Sequence, residues 1–226
     1  MRRPTPRAEF SECSRMPAKP DVSDDDLEPW SGALAPGFAI EDALVEGYLG
    51  EVRAAGGRIL RSRLEKVALT GARLRSLALT DVVARGLEAS GGDWGSAALR
   101  RVEFEGARLS GLQLVQAEAE DAVFRDCRVE LATFRGAKLR DVVFERCTLD
   151  DADFGAAELR AVRFVGCRLV RADFSGARLT RVDMRGSELD PVGDVAGLRG
   201  AIIDSIQLAG LAPLLARAAG ISVADD

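Results

Sequence analysis

Three cysteines, Cys127, Cys147 and Cys167, recur at intervals of 20 residues, with Cys13 standing apart. A regular column of thiols could hold a metal ion or carry redox chemistry, and that possibility comes first. None of the four forms a CxxC pair, which removes the usual zinc and dithiol spacings and fits a reducing cytoplasm. Carboxylates are abundant, with 36 Asp and Glu against 31 Lys and Arg, so close acidic pairs are certain to occur. Such a pair becomes catalytic only in a cleft that raises the pKa of one member. Histidine is absent, which excludes His-based triads, imidazole-bound metals and imidazole acid–base catalysis. No GxGxxG, GxxxxGK(S/T) or GxSxG motif occurs. Gly91-Gly92-Asp93-Trp94-Gly95 resembles the start of a calcium-binding nonapeptide but lacks that motif's continuation and repetition. Neither a cofactor nor an enzymatic activity is expected.

The elements that position these side chains follow from a periodicity. Every fifth residue from Leu44 to Leu189 is apolar: 15 Leu, 7 Phe, 4 Ala, and one each of Ile, Val, Met and Trp. At 47% apolar composition, one fixed register would do this by chance about once in 10¹⁰ trials. Two residues before each centre runs a second column of small or β-branched residues, mainly Ala and Val between Ala97 and Ser187. A period of five fits neither a helix nor a simple strand. It describes a short extended segment plus a turn, one wall of a solenoid that is stable only when coils stack.

The number of walls is also legible. Phe104, Phe124, Phe144 and Phe164 recur every 20 residues, and Phe134, Phe154 and Phe174 lie ten out of phase. Leu139, Leu149, Leu159, Leu169 and Leu179 occupy alternate centres. Twenty residues make four pentads, so two opposite walls carry Phe and the other two Leu. About 7.5 coils at the strand spacing give a rod of about 36 Å. The three cysteines then share the inward small-residue column with Ala107 and Ser187, their sulfurs about 4.8 Å apart. That is long for a disulfide or a shared metal, so they read as small buried hydrophobes. Trp94 falls on a centre and reads as core. Glu118, Lys138, Glu158 and Arg178 stack outward with alternating sign, as do Glu105, Arg125 and Glu145, which describes a solvated structural face.

Three segments follow. Residues 1–41 hold six of the eight prolines and the run Asp24-Asp25-Asp26, and read as a disordered tail, with Met16 as an alternative start. Arg2-Arg3 leads into no apolar stretch and no run approaches the roughly 18 residues of a membrane span, so neither export nor membrane insertion is expected. Residues 42–190 form the repeat. Phe38, Leu44, Tyr48 and Leu49 are expected to build a degenerate first coil, with a short helix over 40–49 as the competing reading. Residues 191–226 leave the register and predict a helical cap, N-capped by Asp204 or Ser205, stopped at Gly220 and split in two by Pro213. Ile206, Leu211, Leu214 and Leu215 would cover the last coil or pair with a second copy.

Ala172-Asp173-Phe174-Ser175-Gly176, Ala177-Arg178-Leu179-Thr180-Arg181 and Ala152-Asp153-Phe154-Gly155-Ala156 match the A(D/N)LXX motif. On these residues the chain resembles the pentapeptide-repeat proteins, and the resemblance implies an all-β solenoid, a right-handed quadrilateral β-helix. It also implies a partner, because the best-characterised members bind DNA gyrase or topoisomerase IV as acidic mimics of duplex DNA, and some pair through their C-terminal ends. The charges here do not follow that pattern: residues 42–190 carry 24 basic and 24 acidic side chains. A mimic needs a line of like charge and a nucleic-acid binder needs a basic one. Asp150, Asp151, Asp153, Asp173, Asp183 and Glu188 are the candidate acidic patch near the C-terminal coils. The reading is a cytoplasmic, non-catalytic scaffold or protein-binding module of unknown partner, with a gyrase-directed DNA mimic as the alternative.

Overall fold

The computed structural model describes residues 16–49, 52–192 and 195–223. Five long strands carry the middle of the chain: β4 (Arg58–Ala68), β5 (Ala78–Arg85), β6 (Ala98–Glu105), β7 (Glu118–Arg125) and β8 (Lys138–Glu145), numbered after three short strands at the N-terminal end. Each pairs in parallel with the next at an offset of 20, as in Leu79↔Leu99 and Phe104↔Phe124. The two remaining faces are closed by isolated bridges of the same offset, such as Arg73↔Asp93 and Arg128↔Thr148. The result is a parallel β-solenoid of about eight turns. Four faces follow from the four pentads of each 20-residue step.

The centres point inward without exception from Ala54 to Met184, all buried. Phe104, Phe124, Phe144 and Phe164 stack face to face with ring centroids 4.9, 4.7 and 5.1 Å apart. Phe134, Phe154 and Phe174 form a second stack at 4.9 and 5.0 Å. The two stacks meet edge to face, as between Phe134 and Phe144 at 6.0 Å. Each buried ring contributes about 1.5–3 kcal/mol by leaving water, and each aromatic pair about 0.5–1.5 kcal/mol more. Trp94 lies below the second stack, and its Nε1 has no acceptor among the described residues.

The turns obey a rule that composition did not reveal. Every fifth residue from Arg61 to Gly186, two after each centre, has a positive φ. Seventeen of these 26 corners are not glycine, among them Leu131 (φ 59) and Ala156 (φ 54). An L-residue in this region costs about 1 kcal/mol or more, so the stacked core holds each one there against strain.

Both ends depart from the expected pattern. At the N-terminal end, β2 (Ala39–Glu41) and β3 (Ala43–Tyr48) pair with β4 at an offset of 19: Ile40↔Ile59 and Val45↔Leu64. Val45 therefore takes the inward place expected for Leu44, Tyr48 is exposed, and strands replace the competing helix over 40–49. β1 (Glu28–Trp30) pairs with β3, and Trp30, Leu34, Phe38 and Leu49 close the end of the core. The expected tail over 1–41 is thus corrected for its described part, since only residues 1–15 lie outside it. Residues 16–41 are held by strand pairing and by contacts with the rod: the Ala18 N–H donates to Asp121 Oδ1 (2.9 Å) and the Asp21 N–H to Asp81 Oδ1 (3.0 Å).

At the other end, a 3-10 turn (Val195–Leu198) crosses so close to the rod that a Cβ on Gly197 would lie 2.1 Å from the Phe174 carbonyl oxygen. Ala201–Ile202 then pairs with Val182–Asp183, and a single helix α1 (Ser205–Ala218) follows. Pro213 sits inside α1 and does not split it. Pro213 and Ala209 are both exposed, so the carbonyl that loses its intrahelical partner lies on the solvent side and its loss is tolerated.

Leu131 shares its corner ladder with Gly71, Gly91 and Gly111, and it is exposed, so its side chain adds strain and no packing. Leu131→Gly is expected to raise the urea midpoint by up to about 1 kcal/mol of stability, strain relief exceeding the entropic cost of glycine. Gly111→Val, which meets only open space and ordinary contacts, should lower it by more than about 1 kcal/mol. Equal midpoints for all three proteins would refute corner strain.

Candidate interaction surface

The outward positions carry charge in register. Stacking at an offset of 20 places each side chain over its counterpart one coil away, so a sign alternation becomes a ladder of ion pairs. Lys138 Nζ lies 2.8 Å from Glu118 and Arg178 lies 2.8 Å from Glu158 on one face. On the next face Arg85 bridges Glu65 and Glu105, both at 3.2 Å, and Arg125 meets Glu145 at 3.0 Å. The corner column adds two-pronged pairs: Arg61–Asp42, Arg101–Asp81, Arg146–Asp126 and Arg171–Asp151. The guanidinium partner holds each of these four aspartates below the usual carboxylate range. Exposed pairs contribute at most about 1 kcal/mol each. Their larger effect is to remove net field from the surface.

The candidate acidic patch is dispersed by the same ladders. Asp150, Asp151, Asp153, Asp173 and Glu188 fall on two adjoining faces and the corner between them, whereas Asp183 lies on a third, paired with Arg163 across the coils. Arg168 meets Asp150 at 2.8 Å and Glu188 at 3.3 Å, Arg171 meets Asp151, and Arg135 meets Asp153 at 2.8 Å. Asp173 accepts the Ser175 N–H at 2.8 Å, and Asp183 pairs with Arg185. The six do not converge into one free anionic site.

The cysteine column is a hydrogen-bond thread. Cys127, Cys147 and Cys167 donate to the carbonyls of Phe104, Phe124 and Phe144 at 3.5, 3.3 and 3.3 Å, each 23 residues back. Ser187 continues the thread by donating to the Phe164 carbonyl at 3.0 Å. The position thus suits a small side chain with one donor, which explains the exchange of Cys and Ser. Hydrogen bonding to Cys127 and burial push the Cys147 thiol up to about 12, and bonding to Cys147 and burial also push up that of Cys167. Cys147 and Cys167 are thus protonated, buried thiols, a state that suits packing and opposes nucleophilic or ligand chemistry, whereas hydrogen bonding to Cys147 holds the equally buried Cys127 thiol below its ordinary value. Among the described residues no group of three or more metal-binding side chains occurs, and no helix is long and apolar enough to cross a membrane.

The thread ends on Gln207, a residue that sequence reasoning passed over. Its amide donates to the carbonyls of Met184 (2.6 Å) and Ser187 (2.7 Å), which would otherwise await a further coil. Its Oε1 accepts the Asp204 N–H, while Asp204 accepts the N–H groups of Ile206 and Gln207, completing a capping box. A Gln three residues after an Asp N-cap was the available signal. Of the expected cap residues, Leu211 is buried and Leu214 half-buried, while Ile206 and Leu215 are exposed. Gly220 stops the helix at φ +73, with the Ile221 and Gly220 N–H groups closing on Ala216 and Arg217.

Fold and surface together define a class, a four-sided solenoid with an ion-paired exterior. Residues 97–164 and 120–192 match the family model described as a pentapeptide repeat region, so that stretch of the chain carries pentapeptide repeats. Among solved structures it is similar to HetL, a pentapeptide repeat protein involved in heterocyst differentiation regulation from the cyanobacterium Nostoc. That match has 20% identity over 74% of this chain and 85% of that one, with a TM-score of 0.43. It is also similar to full-length QnrB1, a plasmid-mediated fluoroquinolone resistance protein, at 18% identity over 80% and 91% of the chains and a TM-score of 0.41. No curated protein matched the sequence.

Backbone N–H groups of Gln207, Gly186 and Ile206 hold the Asp204 carboxyl below its ordinary value. A depressed folded pKa contributes stability that is present above the unfolded value of about 3.9 and is lost as pH falls through the folded value. Asp204→Asn is therefore expected to flatten the loss of helical circular dichroism at acid pH. Gln207→Leu should destabilise the cap by about 1–3 kcal/mol at every pH, through unpaired carbonyls. Parallel acid titrations of wild type and Asp204→Asn would contradict this assignment.

Proposed function

We propose that this protein is a non-catalytic, protein-binding scaffold whose recognition surface is the exterior of the rod. The supporting observation is the set of charge pairs between coils: many outward carboxylates meet Arg or Lys one coil away, as in Glu118–Lys138, Glu145–Arg125 and Asp151–Arg171. Such a surface carries little long-range field, so recognition rests on shape and local contacts rather than electrostatic steering. The exposed apolar side chains Ile206, Leu208 and Leu215 on α1 are the proposed pairing surface for a second copy.

The alternative, a mimic of duplex DNA directed at gyrase or topoisomerase IV, asks for an unbroken acidic line, and the candidate acids are each engaged locally. A gyrase supercoiling assay titrated with the full chain, with and without a quinolone, separates the two. The scaffold reading expects no change in either condition at micromolar protein. Inhibition, or rescue from the drug, would replace it with the gyrase-directed reading.

A further inference from the structure

One outward ladder breaks the rule of charge. On the face backed by the Phe104–Phe164 stack, the residues just before each centre are Arg63, Val83, Glu103, Val123, Val143, Arg163 and Asp183, paired in that order. Val123 and Val143 point away from the core yet are only 5% and 4% exposed. The N-terminal arm runs beside them. Its path is fixed by Arg163 Nη2 on Met16 Sδ (2.8 Å), the Ala18 N–H on Asp121 and the Asp21 N–H on Asp81. Three residues span the two coils between Asp121 and Asp81, about 10 Å, so the arm is extended and crosses the strands toward the N-terminal end. Pro17 is buried, while Met16, Lys19 and Asp21 remain exposed. The seat thus consists of a valine strip beside corner carboxylates that accept main-chain N–H groups. One of them, Asp81, is set by Arg101, which is bound to both of its oxygens.

We propose that this strip is a docking groove for an extended peptide, occupied in cis by Met16–Asp21, and that a partner protein's segment of the same chemistry binds there by displacing the arm. The segment would be extended, with a proline or small apolar residue over Val123 and Val143 and two main-chain N–H groups three residues apart for Asp121 and Asp81. The inference rests on the protein-binding reading and assigns it a site. The arm suits a displaceable role because, among the described residues, Met16–Asp21 adds no strand to the sheet and fully buries one side chain, Pro17. Two main-chain donors to carboxylates give the groove a preference for backbone geometry, and the valines give it a preference for apolar side chains. Charged neighbours Glu103 and Arg163 bound the strip and set its length.

The test uses the full chain and a labelled peptide of residues 16–23 as probe. Pro17→Asp and, separately, Ala18→Pro weaken the arm without altering the coils; the second removes only the N–H that reaches Asp121. Both should keep the wild-type β-sheet spectrum and bind the peptide at least tenfold more tightly than wild type, whose own arm competes. Adding Val123→Lys to either should abolish that gain. Equal binding by wild type and both arm variants, or a gain that survives Val123→Lys, would overturn the groove and leave the arm a permanent seal. The scaffold reading would stand in that case, since it falls only to the supercoiling assay.

Discussion

A left-handed residue at every fifth position is the constraint on which the rest of the rod depends. It turns the chain by one face, returns each centre to the axis and places residue n over residue n + 20. Without it the apolar column would run straight and bury nothing. The corners are costly, because most are not glycine, and no single coil could hold them. They persist because the phenylalanine stacks, the inward leucines and the parallel ladders all require the same geometry, coil after coil.

The same register explains the surface and the ends. Alternating charges become ion pairs because stacking is strict, and the candidate acids meet local partners. Inward cysteines become donors to carbonyls 23 residues back because that is the geometry of the next coil. At the C-terminal end no further coil exists, and Gln207 from α1 supplies the missing donor. At the N-terminal end Trp30, Leu34 and Phe38 close the core where the offset drops to 19. Helix and arm are thus the two places where the repeat meets something that is not itself.

Much of this was legible in the sequence, and the rest was hidden for definable reasons. The five-residue spacing of Leu and Phe gave the solenoid, and the 20-residue recurrence of Phe104 through Phe164 gave its four faces, because packing chemistry leaves a strong compositional trace. The corner column left a weaker one: Gly71, Gly91 and Gly111 mark it, but Arg101, Asp121 and Leu131 occupy the same conformation under tertiary constraint. Pro213 followed local propensity on paper and tertiary docking in the structure. The prolines of residues 16–41 suggest disorder, whereas the groups that hold the arm lie far away in the chain, at Asp81, Asp121 and Arg163. A motif search has no access to such contacts, since they join segments distant in sequence.

The central claim is that register alone carries the fold, and duplication of one coil tests it most directly. A second copy of residues 127–146 inserted in tandem preserves every corner and centre but sets Lys138 over Lys138 and Glu145 over Glu145, so it separates the register of the core from the ion-pair ladders. The expected product is a rod longer by one strand spacing, about 4.8 Å in small-angle scattering, with a melting temperature no lower than that of the original. An unfolded protein, or an unchanged rod with the added residues unprotected in hydrogen exchange, would contradict it.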